Sequence, residues 1–84
     1  MKFFNIQNPH EFYENVLRCE GEIHEIDADG SERDLKAMAG YLIGSGRTEQ
    51  MKGIAEINLR VQDPADMNAL FAFALGMGRE RIFA

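Results

Sequence analysis

The chain has no tryptophan, one cysteine and two prolines, and its longest apolar run is the seven residues Ala69 to Leu75. Each shortage excludes something. Cys19 alone cannot form an internal disulfide, and small secreted domains usually carry several. The run at Ala69 is far below the roughly 20 residues needed to span a bilayer, so no membrane segment is expected. The start Met1-Lys2-Phe3-Phe4-Asn5 offers a charge and two aromatics but no apolar stretch, so it does not read as a signal peptide. A cytoplasmic location is the default expectation.

Bases are also scarce: nine Lys and Arg stand against fourteen Asp and Glu, for a net charge of −5. Half of the acids lie between Glu20 and Asp34, at Glu20, Glu22, Glu25, Asp27, Asp29, Glu32 and Asp34. Such a field repels phosphate backbones and anionic lipid, whose binding relies on Lys and Arg. No basic stripe with interleaved aromatics is present either, so nucleic acid is not expected as a partner.

What remains is a globule. The 84 residues suffice for one core and no second one, and 45% of them are hydrophobic. A single domain over 1–84 is expected, without repeat, linker or low-complexity segment.

Lys2 to Ile6 reads as a strand with apolar residues on both faces. Asn8 then caps a helix, Pro9 takes its first position, and Glu11 complements the dipole; the helix runs to about Cys19 with Phe12, Val16 and Cys19 at helical spacing. Ile23 to Asp27 reads as a strand, Asp29-Gly30 as a two-residue hairpin turn, and Ser31 to Asp34 as the return strand. Asp34 caps a second helix to about Ile43, with Leu35, Met38, Ala39 and Leu42 as its apolar stripe. Gly44-Ser45-Gly46 ends it.

The clearest element follows. Ala55, Ile57, Leu59 and Val61 alternate with Glu56, Asn58, Arg60 and Gln62, the pattern of a sheet wet on one face only. Asp63-Pro64-Ala65-Asp66 opens a third helix, with Met67, Leu70, Phe71 and Ala74 predicted as its buried stripe. Gly76 and Gly78 should end it, before a tail closing on Ile82 and Phe83. The order β-α-β-β-α-β-α implies an α+β fold, an open-faced sandwich whose four-stranded antiparallel sheet carries three helices on one face.

Three local stretches resemble the HPr family, the histidine phosphocarriers of the bacterial sugar phosphotransferase system. Asp34-Leu35-Lys36-Ala37-Met38-Ala39-Gly40 looks like the family's Asn-Leu-Lys-Ser-Ile-Met-Gly at the second helix. Ala55-Glu56-Ile57 resembles its last strand, and Asp66-Met67-Asn68-Ala69-Leu70 its final helix. Asp29-Gly30 falls at the family's Asn-Gly turn. The resemblance covers the chain from about Pro9 onward and implies the HPr-like sandwich.

It does not carry over the chemistry. The family's phosphoacceptor histidine falls on Ile6, its arginine on Asn8 and its regulatory serine on Ala37. A chain with these replacements is expected to be catalytically silent, with no cofactor or metal, and to act through protein contact, with phosphotransferase-system components as candidate partners. The family's docking surface maps here to the start of the first helix and to the second helix, giving Asn8, Glu11, Met38, Tyr41 and Leu42.

His10 offers a different reading. It lies in the first helical turn, where the dipole favours an anion, and would be the phosphoacceptor of a working carrier, although it follows the proline. A ferredoxin-like or ACT-type ligand-binding domain is a further alternative, since its β-α-β-β-α-β order overlaps this one.

Other candidates have plainer readings. His24 has no second ligand at metal spacing. Cys19 reads as the small apolar end of a helix stripe, and Gly44-Ser45-Gly46-Arg47 as a helix-ending loop in place of an anion nest. Asp27, Asp29 and Glu32 do not match a calcium loop.

Overall fold

The computed structural model describes residues 1–75, which form β1 (Lys2–Ile6), α1 (Pro9–Arg18), β2 (Ile23–Ile26), β3 (Glu32–Asp34), α2 (Leu35–Gly44), a 3-10 helix (Arg47–Gln50), β4 (Ile54–Val61) and α3 (Pro64–Ala74). The expected stops at Gly76 and Gly78 and the tail at Ile82 and Phe83 lie outside the described residues. The strands make one four-stranded sheet in the order β1-β4-β2-β3, with every neighbouring pair antiparallel. The chain is therefore α+β, with the element order read from its sequence.

Local chemistry starts each helix. The side chains of Asn8, Asp34 and Asp63 accept N–H groups of Glu11, Ala37 and Ala65, and proline follows the first and third caps. Each cap satisfies a donor that the helix leaves orphaned, worth about 1 kcal/mol.

Period-two alternation sets the sheet faces. Phe3 pairs with Ile57 and Ile23 with Val61, all four buried on one face together with Leu59. Lys2 opposite Asn58, Phe4 opposite Glu56 and His24 opposite Arg60 occupy the other face. Phe12, Tyr13 and Val16 of α1, Leu35 and Ala39 of α2, and Leu70 of α3 join the first face in a single core cluster. Phe12 is central, with ring centroids 6.3 Å from Phe3, 5.3 Å from Tyr13 and 6.1 Å from Phe73.

Two residues of β1 break its alternation. Asn5 adopts φ 57°, and the ladder passes from Phe4–Glu56 to Ile6–Ile54 without an Asn5–Ala55 pair. Regular pleating would send Ile6 outward with Phe4; the left-handed residue turns it into the core, where it is buried. Phe3 and Ile6 are therefore both core, while Phe4 stays on the outer face and is exposed.

Three expectations need correction. The β2–β3 connection is a three-residue loop, not a two-residue one: Gly30 N–H donates to Asp27 O at 2.9 Å, Asp27 N–H donates to Ser31 O at 2.8 Å, and only Gly30, not Asp29, is left-handed. This is the turn-plus-bulge form of hairpin, which needs positive φ once. The buried side of α3 is Asp66, Leu70 and half-buried Phe73, whereas Met67, Phe71 and Ala74 are exposed. Finally, Ala55 lies beyond the buried part of β4 and is exposed.

The turn of the third helix has a polar cause. Asp66 is buried, and its carboxylate accepts Gly21 N–H at 2.8 Å and Glu20 N–H at 3.1 Å. Lys36 of α2 donates from the other side to the carbonyls of Cys19 and Gly21. The loop after α1 is thereby held between the first turns of the other two helices.

Candidate functional site

The front of α1 begins where β1 ends, with only Gln7 and Asn8 between Ile6 and Pro9. Ile6 is core, and the Asn8 amide is occupied in capping Glu11. Neither supplies a nucleophile or a cation. Ala37, in the first turn of α2, is exposed and has no hydroxyl to modify.

His10 has both ring nitrogens engaged. Nδ1 lies 2.7 Å from Thr48 Oγ1, and Nε2 lies 3.3 Å from Glu14 Oε2. Neutral imidazole satisfies both by accepting the threonine O–H at Nδ1 and donating Nε2–H to the carboxylate. Carboxylate, imidazole and hydroxyl thus stand in the order of a nucleophile relay. Thr48 is only 2% exposed, so no substrate can reach its oxygen. The chain of bonds works instead as a clamp, fixing the 3-10 helix against α1 and satisfying a buried hydroxyl.

That clamp also sets the neighbours of α2. Arg47 begins the same 3-10 helix, and its guanidinium lies 5.6 Å from the centroid of the Tyr41 ring, a cation–π contact. Tyr41 is 59% exposed, the most open of the residues picked out on this helix. Met38 and Leu42 are half-buried and packed against the core, and Glu11 is half-buried on α1. Ala37, Gly40 and Gly44 lie exposed around Tyr41, and a Cβ added at either glycine would meet none of the described residues within 4 Å. The structure therefore gathers Met38, Tyr41 and Leu42 on one helix with Tyr41 outermost. Asn8 caps α1, two residues before His10.

No protein-family model, curated protein or solved structure matches the chain.

The remaining reactive groups are held in structural roles. Cys19 is buried, its thiol donates to Asn15 O at 3.3 Å, and burial, with the Asp66 charge beside it, pushes its pKa up to about 11. It is a thiol at neutral pH, not a thiolate. His24 sits on the outer sheet face between Glu22 at 3.2 Å and Glu32 at 3.5 Å. Hydrogen bonding to Arg60 holds the Glu32 carboxyl below the usual range. Among the described residues, no group of three or more His, Cys, Asp or Glu is placed to hold a metal.

Sequence reasoning missed Thr48 and Glu14 as partners of His10. The i,i+4 spacing of His10 and Glu14 was readable as a helix-face pair. Thr48 was not, since it lies 38 positions away.

Proposed function

We propose that this chain is an HPr-like domain that has lost phosphocarrier chemistry and acts by docking on a protein of the phosphotransferase system. The family's histidine, arginine and serine positions hold Ile6, Asn8 and Ala37, while its element order is kept. The observation that carries the reading is the outward face of α2. There an exposed tyrosine lies under an arginine, beside Gly40 and Gly44, where an added Cβ would meet none of the described residues within 4 Å.

Such a face suits contact with another protein. Tyrosine and arginine are among the residues enriched at interface hot spots, and the glycines allow a partner to approach closely. Arg47 pairs with no carboxylate among the described residues, so an acidic partner surface complements it. The first turn of α1 extends the face through the His10–Thr48 clamp.

The test uses purified Enzyme I, the phosphoryl donor of the system. With phosphoenolpyruvate present, the protein should acquire no acid-labile phosphate. In a titration of isotope-labelled protein, Enzyme I should shift the amides of Asn8 to His10 and Ala37 to Arg47. Phosphate on the protein would overturn the loss of chemistry, and absence of any shift would remove Enzyme I as the partner. The reading of His10 as phosphoacceptor is disfavoured because a phosphoryl group would have to displace Thr48 or Glu14.

A further inference from the structure

Asp29-Gly30 is the only place in the chain where Asp or Asn precedes glycine. Such a junction is chemically weak, because glycine has no side chain to screen its nitrogen from the neighbouring carboxyl group. Attack of Gly30 N on Asp29 Cγ forms a carbon–nitrogen bond. The amide proton and the carboxyl hydroxyl leave together as water, and a cyclic imide remains. A second water then opens the imide. Addition at the Asp29 backbone carbonyl leaves the chain running through Cγ, as isoaspartate. Water is the only co-reactant.

Here the junction sits in the turn between β2 and β3. Asp29, Gly30 and Ser31 are exposed, and no described residue lies within 4 Å of a Cβ added at Gly30. Burial therefore gives no protection, and hydrogen bonds hold the reacting groups instead. Asp29 Oδ1 accepts the Ser31 N–H at 3.0 Å and the Ser31 hydroxyl at 2.7 Å. Gly30 N–H, whose proton the imide must lose, is donated to Asp27 O at 2.9 Å. Arg33 in turn donates to Asp27 Oδ1 at 3.0 Å.

These bonds oppose the reaction at both ends. The N–H of Ser31, then its hydroxyl, holds the Asp29 carboxyl below its usual pKa, and a carboxylate is a far poorer electrophile than the acid. To close the imide, the Asp29 side chain has to leave Ser31, and the Gly30 N–H has to leave Asp27.

We infer that Asp29 is the chain's site of spontaneous conversion to isoaspartate, and that the Ser31 hydroxyl is the group that slows it. The product carries an extra backbone carbon within the loop that sets the β2–β3 register. The site is independent of docking through α2, and its test does not involve that face.

Folded protein is incubated in warm, mildly acidic buffer, below the melting temperature of every variant, and isoaspartate is located by tandem mass spectrometry. It should accumulate at Asp29 ahead of every other Asp and Asn, and Gly30→Ala should suppress it. Ser31→Ala keeps the N–H donor but loses the hydroxyl, and should raise the rate by about threefold. Ser31→Thr, which restores a hydroxyl, should stay near the wild type. In concentrated urea, where these bonds are gone, the wild type and Ser31→Ala should react at one common, faster rate. Isoaspartate arising first elsewhere, or equal rates for folded wild type and Ser31→Ala, would overturn the assignment. So would an equal difference between the two persisting in urea.

Discussion

The carboxylate of Asp66, in the first turn of α3, accepts the backbone N–H of Gly21 at 2.8 Å, 45 residues earlier in the chain. With the second bond to Glu20, it ties the start of the last helix to the loop between α1 and β2. A buried carboxylate with two backbone donors is stabilising only while it is charged and both bonds are made.

Asp66→Ala should therefore destabilise the fold by about 2–4 kcal/mol, the range for losing charge-assisted bonds and leaving buried donors unpaired. Urea unfolding at neutral pH checks it. The pH dependence follows from the same bonds. The Gly21 N–H, followed by that of Glu20, holds the Asp66 carboxyl below its usual value, against the opposing effect of burial. A depressed folded pKa stabilises above the unfolded value, about 4, and that contribution is lost as pH falls through the lower folded one. Asp66→Asn should remove this share of the acid sensitivity, so its unfolding free energy should fall less steeply below about pH 4 than that of the wild type.

The His10–Thr48 bond makes a separable prediction. His10→Ala strands a buried hydroxyl and should cost about 1–3 kcal/mol, whereas Thr48→Val removes the hydroxyl itself and should cost less. The double variant should be more stable than the sum of the single changes implies, by at least about 0.5 kcal/mol. Strict additivity in a double-mutant cycle would mean that the two side chains are not coupled.

At the β2–β3 hairpin, Gly30 has φ 89° and nothing within 4 Å of an added Cβ. Backbone conformation alone then sets the cost of substitution. Gly30→Val should lose about 1–2 kcal/mol and Gly30→Asn distinctly less, since asparagine tolerates the left-handed region. Thermal unfolding of the two variants measures the difference.

These contacts show why the fold was more legible in the sequence than the site. Alternation from Ile57 to Val61 and the caps Asn8, Asp34 and Asp63 are short-range signals, and each reads locally. The face of α3 does not, because Met67, Leu70, Phe71, Phe73 and Leu75 make it apolar nearly all round. Several stripes fit such a helix, and Asp66 bonding to a distant loop selects Leu70 and Phe73. The two-residue turn was misread because Asp29-Gly30 signals a tight turn but not how many residues need positive φ. Thr48 reaches its place through tertiary contact, for which sequence spacing offers no sign.

Gly40 gives the sharpest test of what α2 is for. A glycine inside a helix costs about 1 kcal/mol relative to alanine, and no contact with the described residues explains it here, since none of them lies within 4 Å of a Cβ added at Gly40. Gly40→Ala should thus stabilise the isolated protein by about 0.4–1 kcal/mol. If the outward face of α2 meets a partner backbone, the same methyl group intrudes at the interface, and a bulkier Gly40→Leu intrudes further. Titration with Enzyme I should then weaken in the order wild type, Gly40→Ala, Gly40→Leu, while thermal unfolding shows both variants at least as stable as the wild type. A gain in stability with binding unchanged in both variants would mean that the partner, if it docks on α2 at all, does not approach Gly40.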